Sequence, residues 1–327
     1  MSAAPSSRAL LRRVGLVALL FGLLFLGLAL LSDVRAMLHA LASMSVTAFL
    51  VALALATGNY ALRFARWHYY LHRLDVKVPL GESALVFLAG FVMSVTPGKV
   101  GEVLKSLLLA ESRGTPIART APIVVAERLT DLVALVTLTG VGAAAVPGGV
   151  RLTIGAAAGV ALLLAAVGYR PFGLLCLKLA AKLPLLRRIE PRLHEAYDSL
   201  RDLVAPRALV LASLLAIASW GLEAVALWVL VTAFPGSHLT WDGASFAYGA
   251  ATLVGAAAML PGGLLVTEAG MTGVLMALGV SRAVASASTI LVRLATLWWA
   301  VAIGAVALVV FRARVARQGV PTGSAPP

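Results

Sequence analysis

The sequence has little charge and almost no cysteine. Charged residues make up 13% of the 327 residues, whereas hydrophobic residues make up 61%. So little charge cannot cover the surface of a soluble globule of this length, which excludes that class of protein. The one cysteine, Cys176, excludes an intramolecular disulfide and a metal site built from several thiolates. The composition therefore predicts a polytopic membrane protein.

Acidic residues are especially scarce. The chain has 14 Asp and Glu against 27 Lys and Arg, which gives a net charge of +13. Nucleic acid is not the predicted partner, because the basic residues lie between apolar runs and are not interleaved with aromatic residues. We expect membrane lipids as partners, with anionic or phosphate-containing head groups. The composition does not indicate an oligomeric state.

Recognisable catalytic and cofactor motifs are also missing. We find no Walker, GxGxxG or HExxH motif and no Ser-His-Asp or Cys-His set. We therefore expect no cofactor and no catalytic residues, although a membrane-embedded transferase remains an alternative.

A histidine pair has the spacing of a metal site but not its surroundings. His68 and His72 lie four residues apart among several arginines, and no third ligand is near them in the sequence. We expect no metal here. The alternative is an interfacial belt of basic and aromatic residues with Trp67, Tyr69 and Tyr70.

Six apolar runs approach or exceed the roughly 20 residues that a membrane-spanning helix needs. They are residues 14–31, 46–62, 121–146, 152–168, 208–233 and 283–311. The first follows Arg8, Arg12 and Arg13 as in a signal peptide, but its length favours an uncleaved span. In the fourth, Gly155 and Gly159 are spaced as in a close helix–helix contact.

Two further segments end in helix breaks that echo each other. Residues 80–95 run into Pro97-Gly98 and a short apolar helix at 103–112, and residues 244–260 run into Pro261-Gly262-Gly263 and a helix at 269–279. In each case a Glu follows the break, and an Arg follows that Glu 25 or 26 residues later. The echo predicts two repeats, at about 46–146 and 208–311, joined by an amphipathic linker at 170–207.

The basic residues indicate how the broken segments cross the membrane. If both are re-entrant hairpins, the basic stretches 1–13, 63–78 and 170–207 share one side, and the loops on the other side carry only Arg35 and Arg151. A single crossing would put the basic linker outside, against the positive-inside rule.

The predicted fold is an all-α polytopic membrane protein with about six spans and two Pro-Gly-broken hairpins in inverted-topology repeats. Residues 1–317 would form one domain in the cell membrane with cytoplasmic termini, and 318–327 a disordered tail. In such folds broken helices line an interior cavity.

Ionisable residues inside membrane helices are the natural functional candidates, because each costs several kcal/mol unless it is paired or hydrated. Half-helices that start at a break direct free N–H groups towards it, which favours an anion such as phosphate. Buried ion pairs that lock helices together are the alternative explanation. The candidate substrate-binding residues are Pro97, Gly98, Lys99, Glu102, Lys105, Glu127, Arg128, Asp131, Glu223, Pro261, Gly262, Gly263, Glu268 and Arg293.

The ordered motifs resemble a known family. They are Thr96-Pro97-Gly98-Lys99-Val100-Gly101-Glu102, Ala126-Glu127-Arg128-Leu129-Thr130-Asp131, Leu260-Pro261-Gly262-Gly263 and Glu268. Over residues 10–310 the chain is similar to the flippase-like transmembrane domain related to lysylphosphatidylglycerol synthases. In bifunctional relatives this domain precedes a soluble aminoacyl-transferase domain, which the sequence does not contain. The second repeat departs from the first by two extra residues before Glu268 and no Lys beside the glycines, so we expect less direct ligand contact there.

The resemblance implies a stand-alone lipid flippase or transporter that moves an amphiphile with a phosphate-containing head group between leaflets. A membrane accessory that binds lipid or polyprenyl-phosphate intermediates of envelope lipid or glycan synthesis, without moving them, is the main alternative. A membrane enzyme and a small-solute carrier are further alternatives.

The predicted topology can be tested by cysteine labelling. In a Cys176→Ser background, a cysteine at Arg188 should resist an impermeant maleimide applied to intact cells, because the linker is predicted to be cytoplasmic. A cysteine at Ser237 should be labelled, since residues 234–243 are predicted outside. Labelling of the Arg188→Cys variant from outside would overturn the inverted-repeat topology.

Overall fold

The structure is a computed structural model that describes residues 44–96, 101–180 and 190–317. Within these ranges the chain is helical apart from turns and short loops. The helices are α1 Val46–Arg73, α2 Leu80–Gly90, α3 Leu104–Arg113, α4 Ile117–Thr120, α5 Pro122–Val141, α6 Gly149–Gly168, α7 Arg170–Ala180, α8 Glu190–Leu203, α9 Pro206–Thr232, α10 Trp241–Ala257, α11 Val266–Ala277, α12 Arg282–Arg293 and α13 Trp299–Arg317.

Four helical stretches in the described part of the chain are long and apolar enough to cross a membrane. They are α1, α6, α9 and the stretch Arg282–Arg317, in which five residues of π-helix join α12 to α13. Helix α5 has 20 residues, as α6 does, but it carries Glu127, Arg128 and Asp131. The first predicted span at 14–31 and the tail at 318–327 lie outside the described residues. The protein is thus a helical membrane protein.

Helix α1 extends eleven residues beyond the predicted run 46–62, to Arg73. Trp67, Tyr70 and Leu71 continue its buried face at helical spacing. The prediction that the helix ends at residue 62 is therefore wrong, and Arg63 and Arg66 of the basic stretch 63–78 are buried on this helix. The interfacial belt is also wrong for Trp67 and Tyr70, which are fully buried.

The first broken segment turns back on itself. Helix α2 ends at Gly90, a 3-10 turn covers Phe91–Met93, and α3 begins at Leu104. Pro97, Gly98 and Lys99 lie outside the described residues. Glu82, near the start of α2, forms an ion pair with Arg113 at the end of α3. The end of α3 therefore lies beside the start of α2.

The second broken segment has the predicted break. Helix α10 ends at Ala257, and a 3-10 turn at Pro261–Gly263 precedes α11. Gly262 and Gly263 adopt φ of 62° and 65°, a left-handed conformation that costs glycine little, and Leu265 has φ of 71°. Glu268 accordingly falls in the first turn of α11.

The two breaks meet inside the bundle. Val95, just before the first break, packs in one apolar cluster with Leu264 after the second break and with Leu297. One large core surrounds Trp220, Leu227 and Tyr248 between α9, α5 and α10, and the other surrounds Trp67 and Phe87 between α1, α2 and α13. Polar backbone at the breaks is thereby held next to helices that carry the charged residues.

The packing of α10 against α5 depends on a glycine. A Cβ on Gly249 would lie 2.7 Å from Thr139 Oγ1 and 2.9 Å from the Leu135 carbonyl oxygen. We expect Gly249→Ala to lower the free energy of unfolding by about 1–3 kcal/mol through overpacking. Gly273→Ala on α11 is the matched control, because nothing lies within 4 Å of its Cβ position. Equal thermal midpoints for the two variants in detergent would contradict this packing.

Candidate functional site

A network of buried ion pairs joins α1, α3 and α5. Arg66 Nη1 lies 2.8 Å from Asp131 Oδ1, and Arg63 Nη2 lies 3.8 Å from Glu102 Oε1. Arg128 Nη2 bridges two carboxylates, at 3.2 Å from Glu102 Oε2 and 3.1 Å from Asp131 Oδ2. The second of these is the contact between residues 128 and 131 that their helical spacing predicts. Arg63 and Arg66 therefore belong to the same site as the predicted residues of α5.

Lys105 is a buried member of this network. Its Nζ lies 2.6 Å from Glu127 Oε2 and 4.5 Å from the centre of the Trp67 ring. Helix α2 approaches it closely because residue 90 is glycine: a Cβ there would lie 2.5 Å from Lys105 Cγ. The ion pair and the aromatic face together compensate an ammonium group that is otherwise excluded from water.

The network holds one positive charge in excess. Its cations are Arg63, Arg66, Lys105 and Arg128, and its carboxylates are Glu102, Glu127 and Asp131. The side chain of Arg128 is 24% exposed, whereas those of Arg66 and Lys105 are 1% and 3% exposed. The excess charge can therefore meet a ligand most easily at Arg128.

The second broken segment has a smaller counterpart of this network. Arg293 Nε lies 2.6 Å from Glu268 Oε1, and its Nη2 donates a hydrogen bond of 2.7 Å to the Gly262 carbonyl oxygen. Arg293 therefore pairs with the Glu that follows the second break, just as Arg128 pairs with Glu102 after the first. Close by, the Tyr248 hydroxyl donates a hydrogen bond to Glu223.

A cavity of about 1000 Å³ brings the two charged groups together. Arg63, Arg128 and Asp131 of the network line it, as do Arg293, Glu223 and Tyr248. Thr96 and Gly262 contribute the ends of the two breaks. The cavity is therefore lined by charged residues from both of these groups.

The opposite walls of the cavity are apolar and reach the outside of the bundle. Leu162 and Leu163 of α6 and Val254 of α10 line it together with Met259. Leu162 is 72% exposed and Met259 60% exposed. Since these side chains surround the cavity and are also accessible from the side, the opening lies between α6 and α10.

Helix α6 contributes small residues to this wall. Gly155 and Gly159 line the cavity, and nothing lies within 4 Å of a Cβ built on either of them. The prediction that they permit a close helix–helix contact is therefore wrong within the described part of the protein. Spacing alone does not distinguish a packed small-residue face from one that leaves space.

The structure sorts the predicted site residues into three sets. Those that line the cavity are Arg128, Asp131, Glu223, Gly262, Gly263 and Arg293. Those that lie outside the cavity lining are Glu102, Lys105, Glu127, Pro261 and Glu268. Those outside the described residues are Pro97, Gly98 and Lys99. Substrate binding by these residues stays a prediction.

Several lining residues were missed by the sequence reasoning. Arg63, Tyr60 and Tyr248 line the cavity, and so does Arg151, which the topology assigned to an outer loop. Arg63 could have been found, because buried aromatic residues continue at helical spacing past the end of the apolar run. No comparable pattern marks Arg151.

The histidine pair lies away from this cavity lining. His72 Nε2 is 3.2 Å from His68 Nε2, and His68 Nδ1 is 3.0 Å from Ser83 Oγ. Among the residues that the structure describes, no group of three or more His, Cys, Asp or Glu side chains is placed to hold a metal ion.

Comparison with known proteins matches residues 15–304 to the family described as the lysylphosphatidylglycerol synthase TM region. The chain belongs to this family. A UPF0104 membrane protein of Methanothermobacter thermautotrophicus is 30% identical over 135 residues, which cover 41% of this chain. The matched stretch spans 40% of the length of that relative. The family match confirms the predicted resemblance and concerns a transmembrane region.

The ion network predicts a testable coupling between Lys105 and Glu127. Lys105→Met leaves a buried carboxylate without its nearest cation, which typically costs about 3–5 kcal/mol. The double variant Lys105→Met/Glu127→Gln should recover most of this loss, because it removes both charges. Thermal unfolding in detergent of both single variants and the double variant measures the coupling. Additive losses in the double variant would show that the pair is not coupled.

Proposed function

We propose that this protein is a lipid transporter of the flippase type, which moves an amphiphile with a phosphate-containing head group between leaflets. The observation that carries the proposal is the form of the cavity. Arg128 and Arg293 reach it from the two repeats, and exposed apolar side chains surround its opening. A charged wall suits a head group, and an apolar opening suits the hydrocarbon chains that remain in the bilayer.

Phosphate is the expected ligand because arginine guanidinium groups line the cavity. Arginine presents several donors in a planar array that matches phosphate oxygens, and it stays charged in a poorly hydrated site. Arg128 combines partial exposure with the excess positive charge of its network. Asp131 and Glu223 line the same cavity, so its wall also offers carboxylates to any cationic or hydroxyl part of a head group.

Contacts at the two ends of the bundle support the inverted-repeat topology. At one end the ion pairs Glu82–Arg113 and Glu111–Arg312 bring together both ends of the first broken segment and the end of α13. At the other end a Cβ on Gly142 would meet the Asp242 carbonyl oxygen at 2.0 Å, and Leu278 lies against Gly243. Hairpins that open at opposite ends would make these contacts. We propose that the first end is cytoplasmic, as the basic residues predict, and that the protein resides in the cell membrane.

The proposed function predicts that Arg128 and Arg293 are needed for transport. In proteoliposomes with a head-group-labelled phosphatidylglycerol, wild-type protein should make the inner-leaflet label accessible to an impermeant quencher. Arg128→Gln and Arg293→Gln should slow this by about 10- to 150-fold, because each removes a charge-assisted hydrogen bond of about 1.5–3 kcal/mol. Arg113→Gln, which removes an exposed pair remote from the cavity lining, is the control.

Stability must be measured on the same samples. Loss of an ion-pair partner destabilises a buried network, so each variant needs a thermal midpoint in detergent beside its transport rate. Correctly inserted, stable Arg variants with wild-type lipid movement would refute the phosphate role and favour purely structural ion pairs. Lipid binding by a wild-type protein that moves no lipid would favour the accessory function instead.

A further inference from the structure

The cavity is long as well as wide, and α6 shows its extent. The residues of α6 that line it run from Arg151 to Leu163. At 1.5 Å per residue this is about 18 Å along the helix axis. The hydrocarbon core of a bilayer is about 30 Å thick. The cavity thus follows more than half of the depth that a lipid head group has to cross.

Arginines stand towards both ends of this length. Arg128 lies 13 residues before the end of α5, whereas Arg151 lies in the first turn of α6, just past the connecting turn. Because α5 and α6 are consecutive and packed together, the two arginines are separated by roughly 15–20 Å along the helix axes. Between them the α6 wall carries no charge: it is formed by the small residues Gly155, Ala156 and Gly159 together with Leu152 and Val160.

The two ends differ in how their charge is compensated. Arg63, Arg128 and Arg293 all pair with carboxylates. Arg151 is exposed and, among the described residues, makes no ion pair. An arginine with no carboxylate partner keeps its full charge for an anion that arrives at the end of the cavity.

We infer that Arg151 is a second binding station for the phosphate group, at the end of the cavity opposite the ion network. This inference rests on the lipid-transport function proposed above. The head group would contact Arg128 and Arg293 within the bundle and Arg151 where it leaves or enters on the side of the α5–α6 turn. The small residues between the stations leave room for its passage, and its chains extend through the opening between α6 and α10.

An arginine near a membrane surface can also contact bulk lipid without taking part in transport, so a matched residue is needed. Arg282 serves as that control, because it too is exposed, stands in the first turn of its helix and lies at the same end of the bundle. It does not line the cavity. A general effect of surface charge would appear equally in Arg151→Gln and Arg282→Gln.

The test uses full-length protein in vesicles of phosphatidylcholine and phosphatidylglycerol with head-group-labelled phosphatidylglycerol. Arg151→Gln should slow label movement about tenfold, and Arg151→Lys should retain part of the rate since it keeps the charge. Arg282→Gln should match wild type. Thermal midpoints should change little in all three variants, because none removes a partner from a buried ion pair.

Chemical rescue separates the charge from the shape of the side chain. In a Cys176→Ser background, Arg151→Cys should be slow, and a methanethiosulfonate reagent that attaches an ammonium group should restore movement. A reagent that attaches a sulfonate should not. Failure of the ammonium reagent to restore the rate, with labelling verified by mass spectrometry, would overturn the role of charge at this position.

The remaining outcomes separate this inference from the proposed function. If Arg128→Gln is slow but Arg151→Gln moves lipid at the wild-type rate, the second station is wrong and the lipid transporter stands. If wild-type protein moves no lipid, both fall. Inorganic phosphate flux into the same vesicles is measured in parallel. If Arg151→Gln lowers this phosphate flux but leaves lipid movement unchanged, Arg151 binds free phosphate and the lipid assignment is wrong.

Discussion

The cost of burying charge is the constraint on which the rest of the structure depends. Seven ionisable side chains lie within helices that pack against apolar neighbours, and each would be several kcal/mol unfavourable without a partner. These ion pairs can form only if α1, α3 and α5 keep fixed positions relative to one another. Arg66, fully buried and paired with Asp131, fixes α1 against α5, and Lys105 fixes the first broken segment against both. The same groups therefore set the packing and furnish the charged wall of the cavity.

The residues around the two breaks meet this constraint in different ways. Arg128 shares its carboxylates with three other cations, whereas Arg293 pairs with Glu268 and also binds the Gly262 carbonyl oxygen. The second arginine thus holds the backbone of the break, where Gly262 and Gly263 have positive φ. The network around Arg128 carries one excess positive charge, whereas Arg293 also binds the backbone of the turn. The side chain of Arg128 is 24% exposed and that of Arg293 is 9% exposed, so the two arginines differ in how freely they reach the cavity.

The apolar wall of the cavity, together with the charged wall, indicates which class of ligand the cavity suits. A buried phosphate site enclosed on all sides would suit a small solute, but here α6 and α10 leave an opening surrounded by exposed Leu162, Val254 and Met259. The proposed lipid transport requires that this opening face the hydrocarbon of the bilayer. Gly155 and Gly159 also line the cavity, and among the described residues neither packs closely against another helix. An amphiphile is the class of molecule that can use both walls at once, and this is the physical basis of the lipid assignment.

The sequence by itself determined the membrane class, most helix positions, the break at Pro261–Gly263 and the family, because hydropathy and glycine–proline chemistry act over a few neighbouring residues. It also singled out Arg128 and Arg293, since charge inside an apolar run is locally visible. Only the tertiary structure decided that Arg63 and Arg66 are buried, that Lys105 pairs with Glu127, and that Arg151 stands at the cavity. Arg66 and Asp131 are 65 positions apart in the chain and meet because α1 and α5 pack together. Partners at such separations follow from helix packing, which local composition does not encode.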